Sequence, residues 1–381
     1  RQRRKPPTIV SSEPGGSREA DDSWASAGSS FCCSCCSWLA VLGKVALASS
    51  FVTALLVFGV IPRWHESQLH MERQNVTVPG ELVALPDGRR LFFRCTLARH
   101  LTDEPVLLIM NGWATDYRLL EELEGDLAAA FAKVCIYDRA GIGYSDPAPP
   151  GSNALNLAVQ DLNDLLDVTE LRRPGGEEIV LATMSYGGVV AMKFASLHPE
   201  GIGAVLALDP PFFLPGADLG FSQDFGRILL RCLAWFYESG LVRIPWAFGV
   251  MEPAVTESTP EKMAEEAATW RYLSARQGGG MSALRDEGFE IARSDWSDQD
   301  AIMLELADDA PVPLRMLVHE EWMPGLQPES HATWKAKSEY QKQVLGDHCT
   351  YLPGTDHLWA LEHRTEYVAW VRAMLQDVGL L

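Results

Sequence analysis

The sequence predicts an α/β protein: a mostly parallel eight-stranded sheet with helices on both faces, interrupted by an inserted helical cap and preceded by one transmembrane helix. Three observations predict it. From about residue 76, short apolar runs alternate with stretches of helical period, the pattern of strands buried on both faces and joined by crossover helices. The alternation stops after Asp209 and resumes at about Val312, leaving an aromatic-rich, helix-like stretch between them. The run from Trp38 to Ile61 is apolar and 24 residues long, enough at 1.5 Å per residue to cross the hydrocarbon core of a bilayer.

With 381 residues, 47% of them apolar, the chain can bury one large core. A net charge of −19 excludes nucleic acid as a partner, because binding a phosphate backbone requires clustered Lys and Arg. The chain opens on Arg1 rather than Met, which leads us to expect a fragment or a processed form.

Residues 1–37 are rich in Ser, Gly, Pro and charge in their first thirty, and are expected to form a disordered tail. In the span 38–61, Lys44 is the only charge and sits where it can snorkel, Trp38 and Trp64 bracket the run as interfacial anchors, and Pro62 is expected to stop the helix. Residues 62–75 are then a linker. Cys32, Cys33, Cys35 and Cys36, just before the span, are candidates for palmitoylation; a metal site would need a second ligand pair at proper spacing. Arg1, Arg3, Arg4, Lys5 and Arg18 before the span, against Arg63 and Arg73 after it, place the tail in the cytosol and the rest of the chain in a lumen or outside the cell. The sequon Asn75-Val76-Thr77 falls on that second side. Cys95, Cys135, Cys232 and Cys349 do not form a recognisable framework and are expected to be free thiols, three of them in strands.

The first part of the soluble core, 76–210, opens with a hairpin in which Pro86-Asp87-Gly88 turns between Val76–Ala84 and Arg89–Leu97. Strands follow at VLLIM (106–110), VCIYD (134–138), IVLATM (179–184) and AVLALD (204–209), with helices near 116–131, 155–171 and 187–198. Residues 211–311 form the helical cap, whose Phe212, Phe213, Phe225, Trp235, Phe236, Tyr237, Trp246 and Phe248 build its own core or line an apolar pocket. The second part, 312–381, supplies PLRMLVH (313–319), HCTYLP (348–353) and an amphipathic helix at about 363–377.

The chemistry concentrates at strand ends. In Thr183-Met184-Ser185-Tyr186-Gly187-Gly188 a serine follows a strand and opens a helix, a turn that lifts its hydroxyl above the sheet at a positive helix terminus. Asn111-Gly112-Trp113 ends VLLIM, from where the Trp113 N–H can join that of Tyr186 around an oxyanion. Gly354-Thr355-Asp356-His357 follows the last strand, so His357 lies at the carboxyl edge, where open α/β sheets place their sites. His198 and His363 read as helix-surface or helix-end residues, and Asp138 with Arg139 as an internal ion pair that fixes a loop.

Residues 105–209 and 312–375 resemble the α/β-hydrolase superfamily, especially its small-molecule esterase-like branch. YDRAGIGYSD (137–146) is similar to the family's segment after the fourth strand, NGW to its oxyanion motif and MSYGG to its nucleophile elbow. Asn111 stands where the family usually has His, and Thr183 where it usually has Gly. The resemblance implies Ser185 as nucleophile and His357 as general base. An acid can follow either the sixth or the seventh strand in this family: Asp209, at the end of AVLALD, is the favoured one, and Glu320 or Glu321, after PLRMLVH, is the alternative. It implies acyl transfer from a small-molecule, ester or lipid-like substrate to water, without metal or organic cofactor. A Ser at the elbow disfavours the epoxide hydrolase and dehalogenase branches, which use Asp there. Two alternatives stand beside this: an aminopeptidase-like member of the same fold, and a catalytically silent binding protein, motivated by the residues at 111 and 183. Oligomeric state has no signature in the sequence.

Overall fold

The computed structural model describes residues 29–97, 104–113, 115–172, 178–211, 223–251, 260–276, 278–293, 296–307, 311–321 and 328–381. The expected tail up to residue 28, Phe212 and Phe213 lie outside the described residues, as do the side chains of Phe225 and of the four cysteines near residue 34. The chain divides into two compact units, Arg1–Leu56 and Val57–Leu381.

The first unit contributes helix α1 (Ser29–Leu55), which begins nine residues before the expected start. No Gly or Pro interrupts residues 29–38, so nothing stops the helix from extending back through the cysteines. A π-helical turn, Leu56–Val60, follows, then α2 (Ile61–Asn75). Pro62 therefore does not end the helical stretch and 62–75 is not an open linker: proline sits in the first turn of α2, where its missing N–H costs no hydrogen bond. Across Val41–Asn75 the helical stretch includes an unburied window of mean hydropathy 2.2, long and apolar enough to cross a membrane.

In the second unit the strands are β1 (Glu81–Ala84), β2 (Arg90–Leu97), β3 (Val106–Met110), β4 (Lys133–Tyr137), β5 (Ile179–Met184), β6 (Ile202–Leu208), β7 (Leu314–Glu321) and β8 (Cys349–Asp356). They form one sheet in the order β1-β2-β4-β3-β5-β6-β7-β8, in which only β2 runs against its neighbours. The connecting helices before the insertion are α3 (Tyr117–Ala130), α4 (Ala154–Val168) and α5 (Tyr186–Leu197). Between β6 and β7 come α6 (Gln223–Glu238), α7 (Arg243–Ala247), α8 (Pro260–Ala275), α9 (Met281–Arg293) and α10 (Trp296–Ala307). After β7 follow α11 (Pro328–Leu345), α12 (Trp359–Glu362) and α13 (Arg364–Asp377).

Every residue of β3 and β5 is buried, because helices cover both faces of the sheet. Leu181, Val189, Val190 and Met192 belong to the core on one face, with Leu162 of α4 and Leu345 of α11. Leu120, Leu127, Val371 and Leu375 of α3 and α13 fill the other with Val180 and Leu206. Each such side chain contributes about 1.5–3 kcal/mol by leaving water. Asp116 caps α3 by accepting from the Arg118 N–H, and Asn153 caps α4 by accepting from the Asn156 N–H.

Two of the expected free thiols are joined. Cys95 and Cys135 are register partners on antiparallel β2 and β4, 4.0 Å apart at Cα, and form a disulfide that closes 40 residues. Residues directly opposite on an antiparallel pair bring their side chains together, but this pairing skips β3 in sequence, so spacing alone does not reveal it. Cys232 and Cys349 are free. Replacing both bridged cysteines by Ala is expected to cost about 2–4 kcal/mol, as loops of this size typically do, read as a lower thermal midpoint with strand content unchanged by circular dichroism.

Candidate active site

The site is assembled on the carboxyl ends of β3, β5, β6 and β8. Ser185 lies between β5 and α5 at φ 52° and ψ −124°, a left-handed conformation that costs a non-glycine residue about 1–3 kcal/mol and persists only where the surroundings enforce it. They do so here. The Ser185 N–H donates to the Leu208 carbonyl at 2.8 Å and its own carbonyl accepts from the Gly188 N–H at 2.8 Å. The loop after β3 crosses so closely that a Cβ on Gly187 would stand 2.5 Å from the Met110 carbonyl oxygen, and one on Gly112 3.2 Å from Ser185 Cβ. Thr183 is accommodated because its neighbour is a glycine: a Cβ on Gly188 would lie 3.2 Å from Thr183 Oγ1 and 3.0 Å from Pro210 Cβ.

Parallel pairing of Met184 with Leu208 sets Asp209 beside this turn, also at positive φ, 45°. Its Oδ2 accepts from His357 Nδ1 at 2.7 Å and lies 3.4 Å from His319 Nδ1, while Oδ1 accepts from Lys337 Nζ at 2.8 Å. Asp209, His319, His357 and Lys337 are all buried. Burial alone would raise the Asp209 pKa, but the Lys337 charge and the two imidazoles outweigh it and hold the carboxyl well below its ordinary value. His357 is lowered from its ordinary value, first by burial and further by the charges of Lys337 and His319, against the opposing pull of Asp209. Trp334 stands edge-on to His357, ring centroids 5.3 Å apart, and Lys337 Nζ lies 3.4 Å above the Trp334 ring.

Glu320 is elsewhere. It bonds Lys335 and accepts from the Gly354 N–H at 2.7 Å, and Glu321 is exposed at the strand end. Among Asp209, Glu320 and Glu321, it is Asp209 that accepts from His357 Nδ1.

The loop after β3 is fixed by charge. Asn111 donates from Nδ2 to the Tyr137 carbonyl at 3.2 Å and to Asp138 Oδ1 at 2.9 Å, which also accepts from the Tyr117 N–H at 2.8 Å. Burial, with the nearby charge of Asp116, pushes the Asp138 carboxyl up to about 8. Arg139 is not its ion-pair partner. The guanidinium reaches past it to Glu287 of α9 at 2.7 Å and donates to the carbonyls of Asn111 at 2.6 Å and Gly112 at 2.7 Å. It also stacks over the Tyr186 ring at 5.2 Å. Trp113 leans on the same helix, its Nε1 donating to the Leu284 carbonyl at 3.0 Å.

Lys337, His319 and Glu287 did not stand out in the sequence. For Lys337 a signal existed: Trp334, Lys337, Gln341 and Leu345 recur at helical spacing on the buried stripe of α11. Glu287 lies within the insertion, where no local motif points to a partner in another element.

A sheet in this strand order, with a left-handed serine ending its fifth strand and a histidine following its last, defines the α/β-hydrolase fold, and this chain has it. Residues 103–271 match the family described as serine aminopeptidase, S33, a stretch holding Ser185 and Asp209 but not His357. Among solved structures, a carboxylesterase of the thaumarchaeon Nitrososphaera gargenis aligns at TM-score 0.54 and 12% identity, over 78% of this chain and 98% of its own. An esterase from Exiguobacterium antarcticum aligns at TM-score 0.53 and 14% identity, over 78% and 99%. A thermophilic esterase from Thermogutta terrifontis aligns at TM-score 0.51 and 20% identity, over 78% and 97%. No curated protein matches the chain in sequence.

Proposed function

We propose that the chain is a membrane-anchored serine hydrolase that cleaves an ester-like, lipid or amphiphilic substrate through an acyl-Ser185 intermediate. The observation that carries the reading is the 2.7 Å bond from His357 Nδ1 to buried Asp209, at the sheet edge where Ser185 is held in a left-handed turn. With Nδ1 donating to Asp209, Nε2 carries the lone pair and takes the Ser185 proton as the hydroxyl attacks the carbonyl. The N–H groups of Tyr186 and Trp113 hold the oxyanion, and Arg139 fixes both sides of that hole through Gly112 and Tyr186. Water then releases the acyl group by the reverse proton path. The insertion serves as a cap that selects the substrate, and Asp209 rather than Glu320 or Glu321 is the acid.

The anchor is the apolar helix at 38–61, with the hydrolase unit on the luminal or extracellular side. The Cys95–Cys135 disulfide supports that side, because such bonds persist in oxidising compartments. Asn75, exposed at the end of α2, is available there for glycosylation, and the cysteines before the span for acylation on the cytosolic side.

A fluorophosphonate probe tests the chemistry: wild type is labelled and Ser185→Ala is not. Folded wild type that takes no label would leave the silent binding protein as the reading. The match to the aminopeptidase family favours a second substrate class, peptides with a free amino terminus. Comparing aminoacyl anilides with p-nitrophenyl esters separates the two, and faster turnover of the anilides would displace the ester reading.

A further inference from the structure

From Ile244 to Met251 the chain reads Ile-Pro-Trp-Ala-Phe-Gly-Val-Met, without a charged residue. Phe248 is 79% exposed and Val250 74%, with Ile244, Ala247 and Met251 also exposed. Single exposed apolar side chains are ordinary, but a continuous uncharged run that leaves several large ones in water marks a contact surface. Trp246 is half-buried, edge-on to Tyr237 and Trp270, and Pro245 before it is half-buried as well.

The base of this run is fastened to α2. Arg243, buried immediately before it, donates from Nε to His65 Nδ1 at 2.7 Å and from both Nη atoms to Glu72 at 2.8 Å. His65 in turn donates from Nε2 to the Ala275 carbonyl at 3.0 Å, and a Cβ on Gly240 would stand 2.4 Å from its own Cβ. Helix α2 begins at Ile61, directly after Phe58 and Val60, both well exposed. His65 is therefore only about 6 Å of helix beyond the end of the apolar stretch. The polar zone on each side of a bilayer's hydrocarbon core is of similar depth, about 5–8 Å. Trp64, half-exposed beside His65, has the amphipathic ring favoured at that level.

We propose that Ile244–Met251 is a second membrane contact, seated in the lipid interface beside the point where α2 leaves the bilayer, with Phe248 and Val250 entering the acyl boundary. The occupant is a bilayer surface, because the run is tied within a few residues of the apolar stretch. The attraction is apolar and calls for no anionic lipid, since the run itself has no basic residue. This inference rests on the anchor proposed above and not on the hydrolytic activity.

The full chain in phosphatidylcholine nanodiscs, doped with a phospholipid bearing a diazirine on its acyl chain, supplies the test. After irradiation, adducts are expected on the peptide holding Phe248 and Val250 as well as on the span, and not on the peptide holding Leu197, which is 57% exposed on α5. Phe248→Ser with Val250→Ser is expected to reduce labelling of its own peptide several-fold and leave that of the span unchanged. Labelling of the span without the 244–251 peptide overturns the inference and spares the anchor, whether water or a second copy covers the run. Labelling of neither overturns both. Fluorophosphonate reactivity of Ser185, measured on the same samples, decides the hydrolase reading separately.

Discussion

Asp209→Asn is expected to lower acylation of Ser185 by about 10⁴-fold, the loss seen when the acid of such a triad becomes an amide and the imidazole is left in the wrong tautomer. An amide offers His357 Nδ1 either a donor, which forces the proton to Nε2, or a weaker acceptor than the carboxylate. Glu320→Gln changes the rate little, because Glu320 serves the Gly354 N–H and Lys335 rather than His357. Second-order inactivation by a fluorophosphonate, with the thermal midpoint measured alongside, separates chemistry from folding. Retention of activity within about tenfold in folded Asp209→Asn, well short of the loss for a triad member, removes Asp209 from the mechanism.

Lys337→Met is expected to cost about 3–5 kcal/mol of stability, the usual consequence of deleting one member of a buried ion pair and leaving the other uncompensated. It also moves the pH profile. In its proposed role of general base, His357 works only when neutral, so activity is expected to fall as pH drops through its folded pKa. That pKa is lowered by burial, and Lys337 lowers it further, so without Lys337 it rises and the acid limb shifts to higher pH. The groups facing Asp209 are His357 from the loop after β8, His319 from β7 and Lys337 from α11, whose own pKa burial lowers against the opposing pull of Asp209.

Stability follows the same sign. The depressed Asp209 pKa contributes stability that is complete above the ordinary carboxyl value near 3.8 and is lost as pH falls through the lower folded value. Removing Lys337 raises that folded value, so acid unfolding begins at higher pH. Lys337→Arg retains the charge and keeps the acid limb near its wild-type position. An unmoved limb in folded Lys337→Met would show that the lysine acts on folding alone.

Local patterns were enough to read the strands, because a sheet covered on both faces needs runs such as VLLIM and IVLATM whatever the rest of the chain does. Ser185 and His357 were legible for a related reason: each follows a strand directly, so its height above the sheet is fixed by its immediate neighbours. What escaped depends on contacts between distant elements. The bond between Cys95 and Cys135 requires the pairing of β2 with β4, and the turn of Arg139 away from Asp138 requires α9 to present Glu287. Pro62 misled because a proline that ends one helix is indistinguishable from a proline that opens the next until backbone direction is known.

The fit of Thr183 against Gly188 couples two positions on either side of the serine turn. A hydroxyl-bearing side chain at 183 occupies part of the space next to position 188, which only glycine leaves free. Alanine at 188 would crowd Thr183 Oγ1 at 3.2 Å and Pro210 Cβ at 3.0 Å, so Gly188→Ala asks both neighbours to give by a few tenths of an ångström, and a glycine at 183 would relieve only the first contact.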